Sequence, residues 1–104
     1  PKVRPMSPAD AAAKRDAGAV TVVDVRPGDE RAAAQLPGAF EHLDNGTVTL
    51  EALPKDTPLA FLCHRGGRSA QAAEHFRQLG FSEVYNITGG IDAWADLDPS
   101  IPKY

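Results

Sequence analysis

Apolar residues in this chain fall into short continuous runs, separated by stretches in which they recur at helical spacing. Val20-Thr-Val-Val-Asp-Val25 and Leu59-Ala-Phe-Leu62 are the clearest runs. Unbroken β-branched or apolar segments of this length mark strands buried on both faces of a parallel sheet. Val84-Tyr-Asn-Ile87 reads as the last strand, and a short strand is expected over Phe40 to Leu43. Lys2-Val-Arg-Pro-Met6 reads as a first strand that Pro5 confines to a sheet edge or a strand end.

Helices fill the spaces between these runs. Ser7 is placed as an N-cap, with Pro8 at the first helical position and Asp10 in the first turn. The alanine-rich run after it reaches Ala17 and stops at Gly18. Asp29 to Ala34 reads as a short helix and Leu36-Pro-Gly-Ala39 as the turn after it. Asn45-Gly46 marks a turn, and Leu50 to Leu53 a helical turn ended by Pro54. Further on, Ala72, Ala73, Phe76 and Leu79 share one helical face, with Gln71, Glu74, Arg77 and Gln78 opposite and Gly80 as the stop. Gly89-Gly90 opens a final helical turn whose Trp94 is expected to anchor the core, and the proline-rich end from Asp98 to Tyr104 should be irregular. Strands near residues 3, 22, 41, 61 and 85 that alternate with helices predict an α/β architecture: a mostly parallel sheet of five strands with helices on both faces.

Composition narrows the function classes. The 104 residues suit one domain, 1–104, with one core, and 42% hydrophobic with 24% charged residues is ordinary for a globular protein. A formal net charge of −3 argues against a nucleic-acid or anionic-membrane partner, and no stretch approaches a transmembrane span. A single cysteine, Cys63, can form no internal disulfide and no cysteine cluster for zinc, so neither metal nor cofactor is expected. The first residues lack an apolar run, which makes a reducing cytoplasmic setting the expectation. The chain starts at Pro1, compatible with a piece cut from a longer protein or with processing.

The candidate chemistry lies in Phe61-Leu-Cys-His-Arg-Gly-Gly-Arg-Ser69, which passes from a strand through a glycine-containing loop into a helix. Such a junction directs backbone N–H groups inward, where the first helical turn leaves donors unpaired, and so forms a cradle for an anion. Gly66 and Gly67 are expected to supply positive-φ conformations. His64, Arg65 and Arg68 put positive charge beside Cys63 in an otherwise acidic chain. Helix N-terminus and arginines together should lower the thiol pKa and favour the thiolate, which is the nucleophile. The competing reading is a buried cysteine acting as a small hydrophobe; the glycines, Arg68 and the following helix weigh against it.

Asp24 and Arg26 end the Val20–Val25 run, on the carboxyl edge where ligands bind in open α/β sheets. They form either a structural ion pair, with each other or with Glu30, or a support for the Cys63 loop. His42 is expected to bond between elements or to solvent, and His75 to be solvated. Gly89-Gly90 before a helix is weak evidence for phosphate binding without a Walker pattern.

Cys63-His-Arg-Gly66-Gly-Arg68-Ser69 resembles the Cys-x-x-Gly-x-Arg-Ser loop of the rhodanese (sulfurtransferase) family. Val23-Asp24-Val25-Arg26, Leu36-Pro37-Gly38-Ala39 and Tyr85-Asn-Ile-Thr-Gly-Gly-Ile-Asp-Ala-Trp94 stand at that family's usual spacings, so the resemblance covers nearly the whole chain. It departs where the usual Gly-His before the Pro-Gly-Ala segment is Ala34-Gln35. The resemblance implies the rhodanese fold and a thiosulfate sulfurtransferase. Cys63 would take a sulfane sulfur from thiosulfate or a persulfide donor and pass it to glutathione, glutaredoxin, another protein thiol or cyanide. Residues 64–69 would bind substrate, with Asp24 and Arg26 as loop support and Gly89-Gly90 as a structural turn. The tail, residues 50–57 and residues 73–80 more narrowly resemble the rhodanese domain that follows a monothiol glutaredoxin domain in some bacterial proteins. Three alternatives stay open. One is a cysteine-dependent phosphatase or arsenate reductase, whose loop is longer by one residue than the four between Cys63 and Arg68; another is a non-catalytic rhodanese-like binding module; the third is a sulfur-relay partner that turns over well only with a protein acceptor.

Overall fold

The computed structural model describes residues 2–36 and 41–104, and of residues 41–45 the backbone alone. The expected turn at Pro37-Gly38-Ala39, Phe40 and the side chain of His42 lie outside the described residues.

Strands β1 (Arg4–Met6), β2 (Thr21–Asp24), β3 (Glu41–His42), β4 (Leu59–Leu62) and β5 (Val84–Ile87) form one sheet in the order β1-β5-β4-β2-β3. All the registered pairs are parallel. β1 lies at the edge, as Pro5 requires. β4 lies in the middle with every residue buried, because helices cover both faces. Val22, Ala60, Leu62 and Ile87 pack on one face with Ala11 of α1 (Pro8–Asp16) and with Ile91 and Trp94 of α5 (Gly90–Leu97). Val23, Leu59, Phe61 and Val84 pack on the other with Leu50 of α3 (Leu43–Glu51) and with Ala73 and Phe76 of α4 (Gly67–Gln78). The period of two in each strand thus feeds two separate cores from one continuous apolar run.

The helix signals hold where local chemistry is strong. Ser7 Oγ accepts from the Asp10 N–H at 3.1 Å and caps α1, which gives way to Gly18 at φ +72°. The short helix α2 (Gly28–Ala33) begins one residue before the expected start. Trp94 is buried as expected, on a helix of two turns rather than one.

Two expectations are corrected. Asn45-Gly46 does not form a turn: α3 runs through it and takes Leu43 from the expected strand, whose described part is Glu41–His42. Burial of Leu50, with Leu53 packed against the same core, outweighs the poor intrinsic helix propensity of Asn, Gly and Thr. Leu79, expected to continue the apolar face of α4 with Ala72, Ala73 and Phe76, is 39% exposed at its C-cap. Gly80, at φ +107°, reverses the chain so that Phe81 enters the core instead and packs on Phe76 with ring centroids 5.5 Å apart. Among the described residues no helix is long and apolar enough to cross a membrane.

Candidate active site

β4 delivers Cys63 to the carboxyl edge of the sheet, and α4 starts four residues later at Gly67. Between them the backbone is sorted by polarity. The Gly66 N–H points at the sulfur, with N 3.0 Å from Sγ, and the Ser69 hydroxyl lies 3.2 Å from Sγ. The carbonyls of Cys63 and His64 turn the other way and accept from the Ile91 and Asp92 N–H groups at 2.9 and 3.0 Å. The first donors of α5, which an isolated helix would leave unpaired, thus hold the loop's acceptors away from the sulfur.

This arrangement explains the second glycine pair. Gly90 sits at φ +61°, and a Cβ there would overlap the Cys63 and His64 carbonyls. Gly90 is therefore the point where α5 closely approaches the loop, whereas a Cβ on Gly89, at φ +75°, would meet Ala93 of its own helix. Within the loop itself Gly66 takes φ +108° as the N-cap of α4. Gly67 does not share that role: it is not among the positive-φ glycines, being the first residue of α4, and a Cβ on it would meet nothing within 4 Å.

Cys63 is buried, at 1% exposure. Burial pushes its thiol up, but bonds from the Ser69 hydroxyl and from the Ser69, Gly66 and Arg65 amides outweigh it and leave the pKa below its ordinary 9.0. Of the helix N-terminus, N–H groups and arginines credited from sequence, the hydrogen-bond donors lead that effect.

The two loop arginines differ. Arg68 is held by Glu30, its Nη1 and Nη2 each 2.8 Å from a carboxylate oxygen. Arg65 is exposed, and its guanidinium has no ion pair or hydrogen bond among the described residues. It shares a groove of about 430 Å³ with Arg4 of β1, beside Gly66 and Asn86. His64 stacks on Tyr104, with ring centroids 4.0 Å apart, and its Nε2 is buried without a hydrogen-bond partner among the described residues.

Asp24 and Arg26 pair with each other, Arg26 Nη2 to Asp24 Oδ2 at 2.8 Å, and both are buried. Toward Glu30, Arg26 donates to the backbone carbonyl at 3.1 Å and not to the carboxylate; it also donates to Ala34 O at 2.7 Å. It reaches the Tyr104 hydroxyl at 3.2 Å, and that hydroxyl donates to Glu30 Oε1 at 2.8 Å. A continuous polar chain therefore runs from Asp24 through Arg26, Tyr104 and Glu30 to Arg68 at the end of the Cys63 loop.

Sequence reasoning missed Tyr104 and Asn86. Tyr104 follows a proline-rich stretch with no periodicity to point at it. Asn86 carried a signal, as a polar residue inside the Val84–Ile87 strand. It donates through Nδ2 to Gly66 O at 3.0 Å and lies 2.5 Å from Ser69 Oγ through Oδ1.

His75, expected to be solvated, is exposed and bonded to Glu51 at 3.1 Å.

Four comparisons bear on this site. Over 97 residues the chain is 36% identical to the thiosulfate sulfurtransferase GlpE of Pseudomonas paraeruginosa, covering 91% of this chain and 86% of that protein. Its fold matches the polysulfide-sulfur transferase homodimer of Wolinella succinogenes with a TM-score of 0.77 at 27% identity, over 98% of this chain and 78% of that one. It also matches, with a TM-score of 0.73 at 30% identity over 98% of this chain and 85% of that one, a Rhodopseudomonas palustris protein of unknown function described as a possible tyrosine phosphatase. The family model for the rhodanese-like domain matches residues 7–97, from the α1 cap to the end of α5 with the Cys63 loop inside. The chain belongs to the rhodanese-like domain family.

Proposed function

We propose that this chain is a thiosulfate sulfurtransferase working through a persulfide on Cys63. The observation that carries the reading is the donor-lined sulfur: an amide and a hydroxyl within 3.2 Å of Sγ, with the neighbouring carbonyls turned away. The Cys63 thiolate attacks the outer sulfur of thiosulfate, an S–S bond forms, the donor's S–S bond breaks, and sulfite leaves with the bonding pair. An acceptor thiolate then attacks the outer sulfur of the Cys63 persulfide, takes it, and regenerates the Cys63 thiolate. Two displacements replace one difficult transfer. The 64–69 amides and the Ser69 hydroxyl stabilise negative charge on sulfur in both steps, and Arg65 draws in the anionic donor. Asp24 and Arg26 support the loop through Tyr104 and Glu30.

Thiosulfate as donor is supported by the likeness to GlpE. The acceptor is a thiol, of glutathione, glutaredoxin or another protein, with cyanide as a substitute. Glutaredoxin is favoured by the resemblance to rhodanese domains that follow a monothiol glutaredoxin domain. The reading places residues 1–104 as one catalytic unit, cytoplasmic, with no cofactor and no nucleic-acid or membrane partner.

Intact-mass measurement tests it. Thiosulfate should add one sulfur atom, glutathione or cyanide should remove it, and Cys63→Ser should abolish both the adduct and turnover. An adduct of unchanged yield in Cys63→Ser overturns the mechanism. A phosphatase reading is weakened by the four-residue spacing to Arg68 and by that guanidinium's engagement with Glu30. Faster hydrolysis of an aryl phosphate than turnover of thiosulfate would reverse that choice.

A further inference from the structure

Ser69 has one hydroxyl proton and two neighbours that ask for it. Its Oγ lies 3.2 Å from Cys63 Sγ and 2.5 Å from Asn86 Oδ1, and Ser69 is fully buried, so water does not supply a substitute. The amide orientation of Asn86 is not free. Gly66 O accepts only, so the Asn86 atom 3.0 Å from it is the NH₂ group, which turns Oδ1 toward Ser69. Oδ1 carries no hydrogen. The short contact to Ser69 therefore requires Ser69 to donate to Asn86, which leaves an Oγ lone pair facing the sulfur. That pose accepts a hydrogen bond from the neutral Cys63 thiol. It offers nothing to a thiolate, which needs the hydroxyl turned toward it.

We propose that Asn86 is a positioning residue that holds the Ser69 proton away from Cys63 while the thiol is neutral, and that ionisation of Cys63 swings this hydroxyl from Asn86 to the sulfur. The same side chain anchors the Gly66 carbonyl, whose residue donates the 3.0 Å bond to Sγ. Asn86 thus has two opposed effects on the nucleophile. It steadies the loop donor that favours the thiolate, and it competes with the thiolate for the Ser69 donor. The competition is the larger effect, since the Gly66 amide is also fixed by α4 and by its backbone conformation.

Charged groups around the sulfur are common to all the variants below. They are His64 and Arg65 on the loop, Arg68 on α4, Glu30 on α2, the Asp24–Arg26 pair beyond β2, and Asp92 on α5. Their influence cancels when Asn86 alone is changed.

The test is the thiolate absorbance of the protein against pH, read without any sulfur donor so that the outcome is independent of the proposed reaction. Cys63 is the only cysteine. The Tyr85 and Tyr104 phenols also absorb in that range when ionised, but both are pushed above their ordinary 10.0 by burial, so the thiolate step is read below them. Asn86→Ala releases the Ser69 hydroxyl to the thiolate and should lower the titration midpoint by about one unit, the scale of one hydrogen bond to a charged group. In a Ser69→Ala background the same substitution should no longer lower the midpoint, because only the Gly66 anchor is then lost. A merely structural role predicts the opposite sign, because a loosened loop loses donors and the midpoint rises. Asn86→Val, β-branched and suited to a strand, repeats the measurement should the alanine variant unfold. A midpoint that stays or rises in the Asn86 variants, or an equal fall without Ser69, overturns the proposal.

Discussion

Arg68 and Glu30 meet fork to fork, each guanidinium nitrogen 2.8 Å from its own carboxylate oxygen, and so tie the start of α4 to α2. The Arg68 bond holds the Glu30 carboxyl well below its ordinary 4.5, at about 2; burial opposes this and the Tyr104 hydroxyl adds to it. A depressed carboxylate pKa stabilises the fold fully above the unfolded value, and that contribution is lost as pH falls through the folded one. Glu30→Gln should therefore cost up to about 1 kcal/mol near neutral pH, because nearly half of the Arg68 side chain is exposed and solvent screens the pair. The cost should shrink between pH 4.5 and about 2. Urea unfolding at neutral pH and within that window checks this, and equal costs at both would refute it.

The contrast between the two arginines predicts a split in donor selectivity. Arg65→Ala should slow thiosulfate about tenfold and leave an uncharged trisulfide donor nearly unaffected, as expected for loss of one charge-assisted contact. Arg68→Ala should slow both donors alike, because it releases Glu30 rather than a donor contact. Values of kcat/KM for the two donors decide the matter, and a thiosulfate-selective loss in Arg68→Ala would assign the donor to that residue.

Alkylation of Cys63 by iodoacetamide should show a midpoint below 9.0. Ser69→Ala should raise it by more than Arg65→Ala or Arg68→Ala does, because burial is countered mainly by hydrogen bonds. Larger shifts in the arginine variants than in Ser69→Ala would show that long-range charge dominates.

Asp24→Ala leaves Arg26 charged, fully buried and without its anion. The expected cost is about 3–5 kcal/mol in guanidinium unfolding. The double replacement Asp24→Leu with Arg26→Met should cost less than Asp24→Ala alone, because removing both charges removes the desolvation penalty with them. A double variant less stable than the single one would mean that the Arg26 bonds to Ala34 O and Glu30 O outweigh that penalty.

What was legible in the sequence follows from which interactions are local. Ser7, Pro8 and Gly18 act within one turn of the chain, and the Val20–Val25 and Leu59–Leu62 runs report burial directly, so these elements were readable. The Cys63 loop was legible because its glycines, cysteine and arginines are contiguous. Asn45-Gly46 failed because distant burial of Leu50 overrode a local turn preference. Leu79 failed because helical periodicity does not reveal where Gly80 ends it, and so which of Leu79 and Phe81 turns inward. Tyr104, Glu30 and Asn86 join the site only through tertiary contacts, and no spacing rule connects residue 30 to 68 or 86 to 69.

Apart from the Ser69 hydroxyl, the grip on the sulfur comes from main-chain amides, and that share of it is nearly invisible to side-chain mutagenesis. A library randomised at positions 64, 65 and 67 would keep the grip in most of its members, whatever it did to substrate selection, because each replacement still carries the same N–H. The position that governs the grip lies outside the motif: at Gly90 even a methyl group would push α5 off the Cys63 and His64 carbonyls and free them to turn toward the sulfur they now face away from.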